Sequence, residues 1–287
     1  MQRESAALAA LVADQSKDTR SGIGHSTNLV GLPTDFLASC DFNDQPLPVH
    51  ISGVREMNPN LFEMLNRAND LEDAGTAFIY YMNAMFALDP EQREQKPRPT
   101  ARRRYRSSFL QLVKGWGFDS NGPEGAVLKG WVESRFGIFP TYHKEHIRRI
   151  SSHAWTTYVE EKMSSRFHNN SIYTQLDLTY EFCQWVLERL IAPRQTHVTL
   201  YRGINSFEEH RIERQMDKHS FVIRLNNLAS FSSDRNIASC FGDIILGVEV
   251  PLQKLLFFNT LLPLNGLNGE AEYLVIGGDY RVHASDL

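Results

Sequence analysis

The sequence predicts an α+β fold. A mostly helical region over residues 59–192 packs on a strand-rich region over 193–287, behind an irregular segment, 1–58, with one short helix. Three observations carry this. Apolar residues recur at three- and four-residue steps from Pro59 to Ile191. Past Pro193 the chain breaks into short runs rich in β-branched and aromatic residues, bounded by Asn, Gly, Asp or Pro. The strand-rich part is too small to cover its own sheet, so the helices are expected to bury one face and the whole chain to form one continuous globular unit.

Residues 1–18 hold an alanine- and leucine-rich run broken by Asp14. It reads as an ordinary helix, because a secretory signal needs a longer apolar core and a small-residue cleavage site. Residues 18–58 are rich in Gly, Ser, Pro, Asn and Asp and read as irregular. A helical pattern spans Leu61 to Leu88, with Gly75 as a potential break and Asp89-Pro90 as its end. Helical periodicity resumes over 102–117, stops at the turn Ser120-Asn121-Gly122-Pro123 and returns over 123–137. Two more helices are expected over 143–167 and 171–191. Trp116, Trp131, Trp155 and Trp185 fall in this region and read as core packing. Strands are then expected at 197–204, 220–225, 228–233, 243–251, 255–259, 271–278 and 279–284. Short helical pieces are expected near 206–215 and 234–241.

Composition bounds the function. Hydrophobic residues at 42% and charged residues at 22% fit a soluble globular protein. No run approaches the ~18 apolar residues of a membrane-spanning helix. A net charge of −4 gives no general attraction to nucleic acid. Lys96, Arg98, Arg102, Arg103, Arg104 and Arg106 form a basic run, which reads as a solvated helix start or as a docking patch for an acidic partner or a phosphate-bearing ligand. The three cysteines, Cys40, Cys183 and Cys240, are far apart, which fits a reducing cytoplasm better than a disulfide frame. None has a recognisable activating partner. His143 and His146 are read as helix neighbours, yet no cysteine or carboxylate cluster joins them, so no metal is expected. Gly22-Ile23-Gly24 lacks a preceding strand and the rest of a dinucleotide fingerprint.

Three places carry chemistry. In His197 to Gly203, Arg202 ends a strand, where its planar fork matches a pair of phosphate oxygens. Gly203 beside it would let a ligand approach the backbone. In Leu228 to Phe241, Ser230 and Ser232 share one strand face, where two hydroxyls can orient a carboxylate or hold a ribose hydroxyl. Ser233 or Asp234 can cap the short helix that follows. In Gly269 to Ile276, Glu270 and Glu272 project to one side at the start of a strongly apolar strand. A carboxylate at the rim of a buried sheet is a functional-site candidate.

Taken in order, these segments resemble the arginine, serine-x-serine, glutamate-x-glutamate signature of arginine-specific mono-ADP-ribosyltransferases. Phe231 stands where that family commonly has threonine, at a position that points away from the serine face. Over essentially the whole chain, GHSTNLVGLPTDFLASCDF, LYRGIN, SFSSDRNIASCFG and EAEYLVIGG are similar to the dinitrogenase reductase ADP-ribosyltransferases of nitrogen-fixing bacteria. The resemblance implies a split β-sheet core of the ADP-ribosyltransferase type. It also implies NAD as substrate, an arginine of the nitrogenase iron protein as acceptor, and control by a PII-type nitrogen-signalling protein.

It further implies roles for single residues. Cleaving the bond between nicotinamide and C1 of ribose builds positive charge on the sugar, as in glycoside hydrolysis. Glu272 would stabilise that charge and accept a hydrogen bond from a ribose hydroxyl. Ser230 would orient Glu272, with Ser232 beside it on the NAD face. Arg202 would hold a diphosphate oxygen, Gly203 would offer its backbone to the nicotinamide amide, and Phe241 would pack near the nicotinamide. Glu270 would position the acceptor guanidinium and take its proton. Two alternatives stay open: an NAD glycohydrolase, which transfers to water, and a non-catalytic NAD-sensing module.

Overall fold

The computed structural model describes residues 23–88, 106–207, 210–263 and 271–286. The expected helix at 1–18, the basic run from Lys96 to Arg104, and Glu270 lie outside them. Arg106 is exposed.

Between residues 23 and 58 the described chain holds short helices α1 (Thr34–Leu37), α2 (Cys40–Asp44) and α3 (Val54–Met57). The pattern over 61–88 is two helices rather than one, α4 (Pro59–Leu65) and α5 (Leu71–Phe86). The break falls before Asp70, whose carboxylate accepts from the Asp73 N–H at 2.9 Å and caps α5. Gly75 lies inside α5 instead of ending it. A Cβ there would come within 2.6 Å of Pro263 Cδ, so this glycine serves close packing. Helix α6 (Phe109–Phe118) starts at Ser108 with a reciprocal capping box to Gln111. Helix α7 (Pro123–Phe136) starts on Pro123, as the turn signal suggested, and is buried along much of its length.

The expected helix over 143–167 is overturned in its first part. That part is a small hairpin, β1 (Tyr142–His143) with β2 (Glu145–His146), and only α8 (His153–Lys162) is helical. Lys144 at the hairpin turn has φ +61°, which a helix would not tolerate. Helix α9 (Ile172–Val186) runs on into a π-helical turn at Leu187–Ile191.

Strands β3 (His197–Ile204), β4 (Arg211–Gln215), β5 (Ser220–Ser232), β6 (Ile244–Pro251), β7 (Leu255–Phe258) and β8 (Glu272–Asp286) form an antiparallel sheet in the order β4-β5-β3-β6-β8-β7. A further β5–β8 pairing makes β5, β3, β6 and β8 a closed circuit. The helix expected near 206–215 is overturned: Arg211–Gln215 pairs with β5. Helix α10 (Arg235–Ser239) forms as expected in the later segment. Two pairs of expected strands are each one long strand. β5 passes through Asn226 and Asn227 with a bulge, and β8 passes through Gly277 and Gly278. Gly277 is required there, because a Cβ would sit 1.7 Å from the Asn226 carbonyl oxygen.

One apolar cluster runs from the N-terminal helices through α7 and α9 into the inner face of the sheet. Among the described residues no helix is long and apolar enough to cross a membrane. The buried α9 satisfies its charges fully. Asp177 takes a bidentate pair from Arg135 at 2.7 and 2.8 Å and a bond from Trp131 Nε1. Glu181 accepts from Ile51 N and Arg55 Nε, both at 2.6 Å, and contacts His50 Nδ1 at 3.2 Å. The same N-terminal stretch reaches the sheet. Asn43 Nδ2 donates to the Asp279 carbonyl, and the Asp279 N–H donates to Ala38 O.

Lys254 is paired less well. Among the described residues its ammonium reaches the Gly277 carbonyl at 3.3 Å and the faces of Phe42 and Tyr280, with no carboxylate in direct contact. Burial drives its pKa down from 10.5 to about 7 against the pull of Asp279 and Cys40. The unfolded chain therefore holds more protons than the native one between the two values. Stability rises with pH across that window, and the gain is gone once pH has fallen to about 7. Denaturant midpoints should show wild type gaining on Lys254→Met from pH 7 to pH 9; a pH-independent gap would contradict the assignment.

Candidate active site

The antiparallel register places the chemistry. Ser232 pairs directly with Glu272 and Ser230 with Leu274, so Ser230, Ser232 and Glu272 share one face where β5 ends and β8 begins. Tyr201 pairs with Ser232, which brings the arginine-bearing end of β3 alongside. A cleft of about 1050 Å³ opens here, lined by Arg202, Gly203, Ser230, Ser232, Phe241 and Glu272 among others. Its size suits a dinucleotide.

A hydrogen-bonded chain crosses the floor of this cleft. Ser230 Oγ donates to Glu272 Oε1 at 2.5 Å, and Trp116 Nε1 donates to Ser230 Oγ at 2.7 Å. Arg202 Nη1 donates to the Ser230 carbonyl at 2.8 Å. Ser232 Oγ also accepts from the Asp234 N–H at 3.0 Å, while Asp234 caps α10. Glu272 is only 9% exposed, although it is an acid at a strand start. The residue before it, Ala271, is held at φ +45°, a conformation that side-chain-bearing residues rarely adopt.

The helical region supplies much of the opposite wall. Trp116 comes from the last turn of α6, Asp119 and Asn121 from the loop after it, and Tyr142, Glu145 and His146 from the hairpin. Lys129 on α7 ties this wall together from behind. Its ammonium donates to Asn121 Oδ1 at 2.9 Å and to the Tyr142 carbonyl at 3.0 Å, and approaches His143 Nδ1 at 3.4 Å. His143 Nε2 lies 2.7 Å from Glu161 Oε2, an arrangement that puts the ring proton on Nε2 and leaves Nδ1 to accept. Burial lowers the Lys129 pKa to about 7, opposed by Asp119 and Glu161. Among the described residues no group of three or more His, Cys, Asp and Glu side chains could hold a metal ion.

Comparison with known proteins places this cleft in context. The chain matches the family profile of dinitrogenase reductase ADP-ribosyltransferase (DRAT) over residues 27–284. It belongs to that family. It is also 62% identical over 275 residues to NAD(+)--dinitrogen-reductase ADP-D-ribosyltransferase of Rhodospirillum rubrum, covering 96% of this chain and 99% of that one. No solved structure matches the chain.

Seen in a dinitrogenase reductase ADP-ribosyltransferase family member, several cleft residues go beyond the sequence motifs. Trp116 reads as core from its apolar neighbours and is indeed 4% exposed, but its indole N–H serves the cleft. His210 is buried against the cleft beside Arg202. Burial, then Arg202 and His146, push its pKa down to about 3, so the ring is neutral. No local signal marked it, because its segment looked helical. Phe241 stands 57% exposed at the cleft and Phe118, the last residue of α6, 85% exposed. Phe241 is the residue that the family resemblance puts near the nicotinamide, whereas Phe118 is one that hydrophobic patterning has no reason to separate from the core.

Gly203 has a packing reason to be glycine. A Cβ there would lie 2.1 Å from the Ala238 carbonyl oxygen and 2.9 Å from Gly242 N, so α10 rests directly on β3. Gly203→Ala should push α10 and the Phe241 turn away. The expected result is a stability loss of about 1–3 kcal/mol, the usual range for overpacking, with weakened NAD binding. Thermal unfolding and NAD titration of the purified variant check this, and an unchanged midpoint would rule the packing account out.

Proposed function

We propose that this chain transfers ADP-ribose from NAD to an arginine side chain of dinitrogenase reductase, the nitrogenase iron protein, and so inactivates it and regulates nitrogen fixation. The observation that carries the reading is the convergence of Arg202, Ser230 and Glu272 on one large cleft in a chain of this family. The Rhodospirillum rubrum relative bears a name for this activity on dinitrogen reductase.

The chemistry rests on the residues of that cleft. Nicotinamide leaves C1 of the ribose with the bonding electron pair, and the sugar becomes oxocarbenium-like. Glu272 stabilises that charge from a fixed position, which mobile water does less well. Ser230 keeps the carboxylate oriented. Arg202 meets the diphosphate, with Ser232 and the Gly203 backbone on the NAD side and Phe241 against the nicotinamide. A guanidinium nitrogen then attacks C1, and the proton it gives up passes to Glu270, the role that the family resemblance suggests for it. No metal is needed in this scheme. The helical wall of the cleft meets the target protein, and a PII-type regulator is the partner that the family resemblance suggests.

The two glutamates then have separable duties. Radiolabelled NAD with purified dinitrogenase reductase, with nicotinamide release followed in parallel, reads both. Glu272→Gln should lose protein labelling and NAD hydrolysis together, by about 100-fold or more. Glu270→Gln should lose labelling yet retain hydrolysis. Equal loss of both activities in the two variants would defeat the division of roles, and nicotinamide release without any labelled protein in wild type would favour a glycohydrolase.

A further inference from the structure

The geometry points to Trp116 as a positioning residue of the reaction: its indole N–H fixes the direction of the Ser230 hydroxyl and, through it, the carboxylate of Glu272. The inventory of donors and acceptors decides the direction. A serine hydroxyl has one hydrogen and two lone pairs, and it rotates freely to suit its surroundings. An indole nitrogen can only donate. With Trp116 Nε1 at 2.7 Å, one lone pair of Ser230 Oγ is taken, and the Ser230 hydrogen cannot point back toward the indole. The strong acceptor within its reach is Glu272 Oε1 at 2.5 Å. The polarity of the chain is thereby set from tryptophan to serine to glutamate. Lacking the indole donor, the hydroxyl could turn its hydrogen elsewhere and leave the carboxylate to reorient.

Trp116 is itself held. Lys129 Nζ lies 5.8 Å from the centre of the indole ring, within cation–π range, while its other contacts fix the loop after α6 and the hairpin. At the start of α6, the Phe109 N–H donates to Gln175 Oε1 of α9 at 3.0 Å. The helix is thus pinned at its buried end and delivers one donor to the catalytic face. The helical region is by this reasoning a working part of the active site as well as a docking surface.

The proposal rests on Glu272 as the carboxylate at the reacting centre. Its test is steady-state ADP-ribose transfer to dinitrogenase reductase with NAD varied. Trp116→Phe keeps a ring and removes the N–H. It should lower kcat by about tenfold, the size of one ordinary hydrogen bond, with little change in KM for NAD. In a Ser230→Ala background the same change should cost nothing further, because the indole acts only through that hydroxyl. Replacing Trp116 by benzothienylalanine, which keeps the bicyclic shape but has sulfur for N–H, should reproduce the loss and covers the case in which Trp116→Phe does not fold. An unchanged kcat in the benzothienylalanine variant, or an equal loss with and without Ser230, overturns the proposal. Full activity in Glu272→Gln would overturn the parent reading and this one together. A dead Glu272→Gln beside a fully active benzothienylalanine variant would overturn this one alone.

Discussion

The site depends on a joint between helices and sheet at the bulge of β5. Asn226 Oδ1 accepts the Thr141 N–H at 3.0 Å, and Asn226 Nδ2 donates to the Tyr142 carbonyl at 2.9 Å. Asn227 Nδ2 donates to the Lys129 and Ile138 carbonyls at 2.8 and 3.0 Å. Two adjacent amides therefore anchor α7 and the hairpin to the strand that carries Ser230. A bulge leaves backbone groups out of the ladder and re-aims the residues beyond it. Here it turns the last residues of β5 toward the cleft, and Gly277 across the ladder gives it room. Buried amides are costly unless satisfied: both polar atoms of the Asn226 side chain and Asn227 Nδ2 are, whereas Asn227 Oδ1 has no hydrogen-bond partner among the described residues, so the joint gains its specificity at a cost in stability.

The electrostatics of the cleft depend on that joint. One wall holds Glu272, and the Arg202 guanidinium donates to the carbonyl of Ser230 beside it. The wall behind is built on a buried ammonium, Lys129, whose acceptors belong to the loop after α6 and to β1 of the hairpin. His210 stays neutral between Arg202 and His146, so it adds a polar edge without adding a second positive charge. In the proposed reaction an anionic diphosphate and a cationic transition state would share one groove, their opposite demands met at different points along it.

Much of this was legible in the sequence, and the failures share a cause. Residues 197–204 form a strand with the expected bounds, and Pro123 opens a helix where the turn signal put it, since both depend on local rules. Asn226-Asn227 and Gly277-Gly278 look like strand ends, because a turn and a bulge draw on the same residue types. Only pairing across the sheet, from Ser220 opposite His283 to Ser232 opposite Glu272, separates the two cases. Arg211–Gln215 is a strand through its partner β5, and a short polar run carries no such information. In the site, Arg202, Ser230 and Glu272 could be found by motif. Trp116 and Lys129 could not, since a buried indole donor and a buried ammonium read from sequence as one more aromatic and one more surface charge.

The strand-rich third of the chain bears the recognisable motif, yet one apolar cluster and several buried polar contacts tie it to the helices. Glu181 sits at the centre of the helical layer with its carboxylate closed off by Ile51, Arg55 and His50, and α9 packs against β7. Removing the polypeptide up to and including Arg55 would strand an anion in the interior, and losing Ala38 and Asn43 would unfasten β8 at Asp279. A minimal transferase made by trimming to the motif-bearing strands would therefore lose its scaffold before it lost its chemistry. Any engineered version must carry the unassuming early residues along.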